Sequence, residues 1–103
     1  MYRSHTCGEL RVANINQTVT LAGWVQKVRN LGAMAFIDLR DRYGITQIVV
    51  EEGSNEQTKE AAARLGREFV IQVTGRVIER SSKNAKMATG DIEVVAESIT
   101  ILT

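Results

Sequence analysis

The sequence has a single cysteine, Cys7, so an intramolecular disulfide is impossible and a cysteine-based zinc site cannot be assembled. That thiol is expected to be inert and the chain to suit a reducing compartment. Long apolar runs are also missing. No stretch of roughly eighteen apolar residues occurs, and the opening MYRSHTCGEL has no apolar signal core. Neither export nor a membrane partner is expected, and the expected location is cytoplasmic. An excess of one charge is lacking too: 13 Lys and Arg against 12 Asp and Glu leave a net charge of +1, unlike the strongly basic balance of many nucleic-acid binders. Catalytic signatures are absent as well. There is no phosphate-cradling GxxxxGK and no metal constellation, and the only histidine, His5, has no evident triad partner. Asp38 and Asp41 stand beside arginines in DLRDR, which reads as ion pairing near a turn rather than general acid work. With 103 residues, the chain has room for one domain and one core, and a shallow surface groove suits it better than a deep catalytic cleft.

The hydrophobic pattern that is present has period two. Residues 18–28 alternate, with Val19, Leu21, Gly23 and Val25 on one side and Thr20, Ala22, Trp24 and Gln26 on the other, which predicts a first strand. A turn at RNLGA leads to a second strand over residues 34–40, and DRYG leads to a third over residues 45–51. In GSNEQTKEAAARLG, Ser54 with Gln57 three residues on predicts a capping box, and Gly66 stands where a C-terminal cap belongs, so one short helix is expected. Residues 69–80 alternate again as a fourth strand. The polar segment SSKNAKMATG is expected to be a mobile surface loop, and residues 91–102 form a fifth strand. Its phase changes between Ala96 and Ile99, which predicts a bulge or corner. Gly23 and Gly75, in mid-strand, mark where a tightly coiled barrel needs backbone without a side chain.

Three strands, one helix and two strands match an all-β, five-stranded Greek-key OB-fold barrel with its helix between strands 3 and 4, a fold whose outer face takes single-stranded polymers. Residues 1–16 are read as a lead-in and residues 17–103 as the barrel. Charge distribution supports this reading: the basic residues gather in hairpins and loops, while Glu51, Glu52, Glu56 and Glu60 gather around the helix.

On the second strand, the apolar set Ala35, Ile37 and Leu39 takes the core, which forces Phe36 outward with Asp38 and Arg40. An outward ring on that face is a stacking platform for a base. Gln47, one strand over, offers a donor and an acceptor to a Watson–Crick edge, and Arg29 offers its planar fork to the same base or a phosphate. Glu93 faces outward and suits a base amino group rather than a phosphate. Arg76, Arg80 and Lys83 are candidate backbone clamps, with Lys86 beside them in the loop. Trp24 is expected to cover a barrel end. No catalytic residue and no metal ligand is expected in the chain.

CGEL, GWVQKVRNLG, FIDLRDRYGITQIVV, EFVIQVTGRV and MATGDIEV together resemble the N-terminal anticodon-binding domain of bacterial-type aspartyl-tRNA synthetases over essentially the whole chain. The resemblance implies a class II aspartate–tRNA ligase in which this barrel grips the anticodon loop of the aspartate tRNA. ATP and Mg2+ would serve a separate catalytic domain, absent from these 103 residues, in a parent enzyme that is a homodimer. It implies Phe36 stacked on the central uracil, Gln47 and Arg29 on that uracil, and Glu93 with the preceding loop, Asn84 included, on the flanking bases. Leu31 would lie beside the hairpin that bears on acceptance of asparagine tRNA. The alternative reading is a free-standing single-strand binder without sequence preference.

Overall fold

In a computed structural model that describes residues 2–103, the chain forms β1 (Thr18–Leu31), β2 (Met34–Asp41), β3 (Gly44–Val50), α1 (Glu56–Arg64), β4 (Val70–Glu79) and β5 (Ile92–Ile101). The strands close into a barrel in the order β1-β2-β3-β5-β4, with β4 pairing back onto β1. Among the described residues, only the β3–β5 pairing is parallel. The five-stranded barrel and the helix between strands 3 and 4 are as the sequence pattern predicts. Leu21, Val25, Ile37, Leu39, Ile48, Ile71, Val73, Val77, Ile92 and Val94 are fully buried and fill the interior.

Two irregularities aim side chains. In β5, Thr74 pairs with Ser98 while Gly75 pairs with Ala96, so Glu97 is the extra residue, a bulge where the phase change predicted one. Its carbonyl accepts from Asn55 Nδ2 at 3.0 Å and Thr58 Oγ1 at 2.9 Å, which docks the start of α1 on the bulge. In β1, Val25 pairs with Leu39 and Lys27 with Asp38, which leaves Gln26 unpaired. Strict alternation would carry Lys27 and Arg29 inward after Val25. The extra residue returns Val28 to the core side and turns Arg29 outward, directly across from Phe36.

The helix is capped differently from the sequence expectation. Asn55, not Ser54, is the N-cap, accepting from Thr58 N at 2.8 Å. Ser54 instead accepts from Glu51 N at 3.0 Å to close the preceding turn, so no Ser54–Gln57 box forms. Leu65 ends the helix in an extended conformation, so Gly66 supplies no left-handed cap. The left-handed glycine is Gly32, at φ 65° in the β1–β2 turn.

The segment before β1 belongs to the packed structure. Cys7 and Leu10 are fully buried in the core cluster. Asp41 holds this segment, accepting from Cys7 N at 2.8 Å through one oxygen and from Tyr43 N at 2.8 Å and Gly44 N at 3.1 Å through the other. Asp41 pairs with Arg3 at 3.8 Å and Asp38 with Arg29 at 3.7 Å, rather than with the arginines adjacent in sequence.

Burial, and then the Asp41 charge, push the Cys7 thiol well above its ordinary value of 9.0. An unfolded chain loses this proton near pH 9 while the folded chain keeps it, so the thiol's contribution to stability falls as pH rises past about 9. A Cys7→Ala variant should lose that part of the alkaline slope in denaturant midpoints measured against pH. The unaltered thiol should resist alkylation until the chain unfolds.

Candidate nucleic-acid interface

The outward face of β2, with its neighbours β1 and β3 and with β5 beyond β3, carries a cavity of about 240 Å³. Arg29, Leu31, Phe36, Gln47, Arg80 and Glu93 line it, which gathers residues far apart in sequence onto one surface. Phe36 is half-buried rather than fully exposed, and Val49, directly across from it on β3, is fully buried although it lies on the face away from the core. The Arg29 guanidinium lies 5.7 Å from the Phe36 ring centroid.

A polar chain crosses the floor of the cavity. Arg29 Nη2 donates to Gln47 Oε1 at 2.9 Å, and Gln47 Nε2 donates to Glu93 Oε1 at 2.8 Å. Gln47 is 5% exposed, so its amide is held rather than solvated. Arginine only donates and an ionised carboxylate only accepts, so the two partners fix which end of the amide is oxygen. One N–H and one lone pair of Gln47 remain for a ligand, and the second Glu93 oxygen remains as an acceptor. Among the described residues, the buried side-chain nitrogen or oxygen with no hydrogen-bond partner is Arg80 Nε, on the wall of this cavity. A buried donor left unmet is an opening for an acceptor on a ligand.

Arg76, Lys83 and Asn84 do not join this group. Arg76 is exposed on β4, between Thr18 and Val95 in the sheet register. Lys83 pairs with Glu79 at 2.8 Å and donates to Arg80 O at 3.2 Å. Asn84 spends its side-chain oxygen on Lys86 N at 3.0 Å, within a turn whose backbone is tied to Gly90. That loop is anchored at its far end, where Thr89 and Gly90 are buried and Thr89 Oγ1 donates to Ile45 O at 2.5 Å. Met34, Ser81 and Ser82 line the cavity and were not singled out from sequence. Met34 shares the parity of Phe36, which was a usable signal. The serines had none. Trp24 stands at the end of the β1–β4 pairing, opposite Val70, and is 39% exposed.

Removing Glu93 strands the buried Gln47 amide. Glu93→Ala is therefore expected to lower folding stability by about 1–3 kcal/mol in a denaturant titration. An unchanged midpoint would mean that Glu93 has no part in ordering the cavity floor.

No helix among the described residues is long and apolar enough to cross a membrane, and no group of three or more His, Cys, Asp or Glu among them is placed to hold a metal ion. The chain is 57% identical over 102 residues to the aspartate–tRNA ligase of Bacteroides thetaiotaomicron, an overlap of 99% of this chain and 17% of that protein. A similar ligase from Flavobacterium psychrophilum is 58% identical and is covered to 18%. The chain thus spans less than a fifth of the length of these curated relatives. Among solved structures, the asparaginyl-tRNA synthetase of Pyrococcus horikoshii complexed with asparaginyl-adenylate superposes with a TM-score of 0.82 at 32% identity, over 100% of this chain and 23% of that one. The family of OB-fold nucleic acid binding domains of the tRNA anti-codon type matches residues 19–102, and this chain belongs to it.

Proposed function

We propose that this barrel reads the anticodon loop of the aspartate tRNA, as one domain of a cytoplasmic, homodimeric aspartate–tRNA ligase. ATP and Mg2+ are assigned to the catalytic domain of that parent enzyme, not to these residues. The supporting observation is the meeting of Phe36, Arg29, Gln47 and Glu93 around one cavity, with the amide of Gln47 held in one orientation. A stacking ring beside a fixed donor and acceptor is what reading one unstacked base requires. Uracil shows a carbonyl and an imino N–H on its pairing edge, which matches the N–H and lone pair that Gln47 keeps free. Arg80, with its unmet Nε, is assigned to an acceptor on a neighbouring base or phosphate. Leu31 is assigned to the rim beside the β1–β2 turn. Arg76, Lys83 and Asn84 are left with peripheral contacts to the chain as it leaves the cavity.

The test is discrimination. An aspartate-type anticodon hairpin titrated against the 103-residue chain should bind more tightly than the same hairpin with its central uracil replaced by cytosine. Equal affinities at every salt concentration would favour a binder without sequence preference.

A further inference from the structure

A second cavity, of about 330 Å³, lies beyond the other end of β2, lined by Arg40, Arg42, Tyr43, Lys86, Met87 and Thr89 among others. Phe36, Asp38 and Arg40 share one face of β2, and the four steps from Phe36 to Arg40 span about 13 Å of strand. The segment between β4 and β5 runs from one cavity to the other: Ser81 and Ser82 line the first, and Lys86 to Thr89 line the second. The two cavities are thus the ends of one track, with the β2 face as its floor and this segment as its wall.

The second cavity has an uncompensated positive charge. Its only carboxylate, Asp41, is 7% exposed and already accepts from three backbone N–H groups. Arg40 donates to the neutral Gln26 Oε1 at 2.7 Å, and among the described residues neither Arg40, Arg42 nor Lys86 has a salt-bridge partner. Tyr43, 56% exposed, has the Arg3 guanidinium at 5.3 Å and that of Arg42 at 6.0 Å from its ring centroid, so the ring holds cations at the rim. Three free cations at a cavity on the same face as a base-stacking ring suit a polyanion that has already been engaged. An OB fold covers roughly four or more nucleotides, more than the Phe36 cavity alone accommodates.

We propose that the Arg40, Arg42 and Lys86 cavity is a phosphate-binding subsite for the RNA backbone leading away from the base held at Phe36. This rests on the reading of the first cavity as an RNA site. Each phosphate neutralised releases about 0.7 of a counterion on single-stranded RNA, so two contacts steepen the salt dependence by about 1.4 in the log–log slope.

The experiment measures affinity for the anticodon hairpin across salt for three proteins: the unaltered chain, Arg42→Gln/Lys86→Gln, and Phe36→Ala. The double variant removes two exposed side chains and should unfold at an unchanged midpoint. Its slope should be shallower by about 1.4, so that between 50 and 200 mM salt the unaltered chain loses about 7-fold more affinity than the variant. Discrimination for the central uracil should be preserved. Phe36→Ala should weaken binding at an unchanged slope. If the hairpin binds and the double variant keeps the full slope, the subsite is wrong and the cavity serves another partner, such as an acidic protein surface. If the double variant flattens the slope while Phe36→Ala changes nothing, the subsite stands and the base-stacking role of Phe36 falls. Absence of hairpin binding by the unaltered chain at low salt overturns both.

Discussion

Replacing Phe36 by alanine is expected to weaken binding of an aspartate-type anticodon hairpin by about 1–3 kcal/mol, roughly 5- to 150-fold, the range typical of one base stacked on one ring. The ring is half-buried on the outward face of β2, with the Arg29 guanidinium 5.7 Å from its centroid, so alanine removes both the stacking surface and a rest for that arginine. The melting midpoint should fall less than it would for a core residue such as Ile37, because Phe36 is outside the core cluster; the cost that remains is the uncovering of Val49 across from it. Isothermal titration at a fixed salt concentration, with the unfolded fraction measured alongside, separates the two effects. A loss of affinity accounted for entirely by unfolding would make Phe36 a structural residue. An unchanged affinity would remove the base from its proposed place.

The largest stability effect is expected at Gly75. A Cβ built there would lie 2.2 Å from the Val95 carbonyl oxygen, a backbone atom that cannot swing aside, and 2.8 Å from a Val94 methyl. Gly75 stands where β4 pairs with both β1 and β5, across from Val19 and Ala96, so relief requires parting strands that close the barrel. Gly75→Ala should cost about 3 kcal/mol, at the upper end of ordinary overpacking, against a total of about 5–15 kcal/mol for a domain of this size. Urea unfolding followed by the fluorescence of Trp24 would measure it. A variant within about 0.5 kcal/mol of the parent would show that β4 and β5 separate readily at this point. Gly23 on the paired strand β1 makes the same approach, with a built Cβ 2.2 Å from the Arg40 carbonyl oxygen on β2.

Both glycines were legible in the sequence as interruptions of otherwise apolar strands, and so was the β5 bulge, because its phase change is written in the spacing from Ala96 to Ile99. The helix caps were less legible. Ser54 and Asn55 are adjacent residues with equivalent capping chemistry, and docking on the Glu97 carbonyl selected Asn55. Burial of the lead-in was not legible either. Cys7 and Leu10 show no periodic pattern around them, and their place in the core depends on Asp41, more than thirty residues away along the chain, accepting from Cys7 N.

Period-two alternation determined that Phe36 faces away from the core, since that follows from which side chains water excludes, and with the order of strands and helix it was enough to read a five-stranded barrel. The meeting of Arg29 with Phe36, Gln47 and Glu93 was decided only in three dimensions. Alternation counted from Val25 would have buried Arg29, and the unpaired Gln26 turns it out. That bulge is set by how β1 bends to pair with β2 on one edge and β4 on the other, a condition of barrel closure that no local stretch of sequence contains. The same closure brings β3 beside β5, places Glu93 against Gln47, and leaves Arg76, Lys83 and Asn84 outside the cavity.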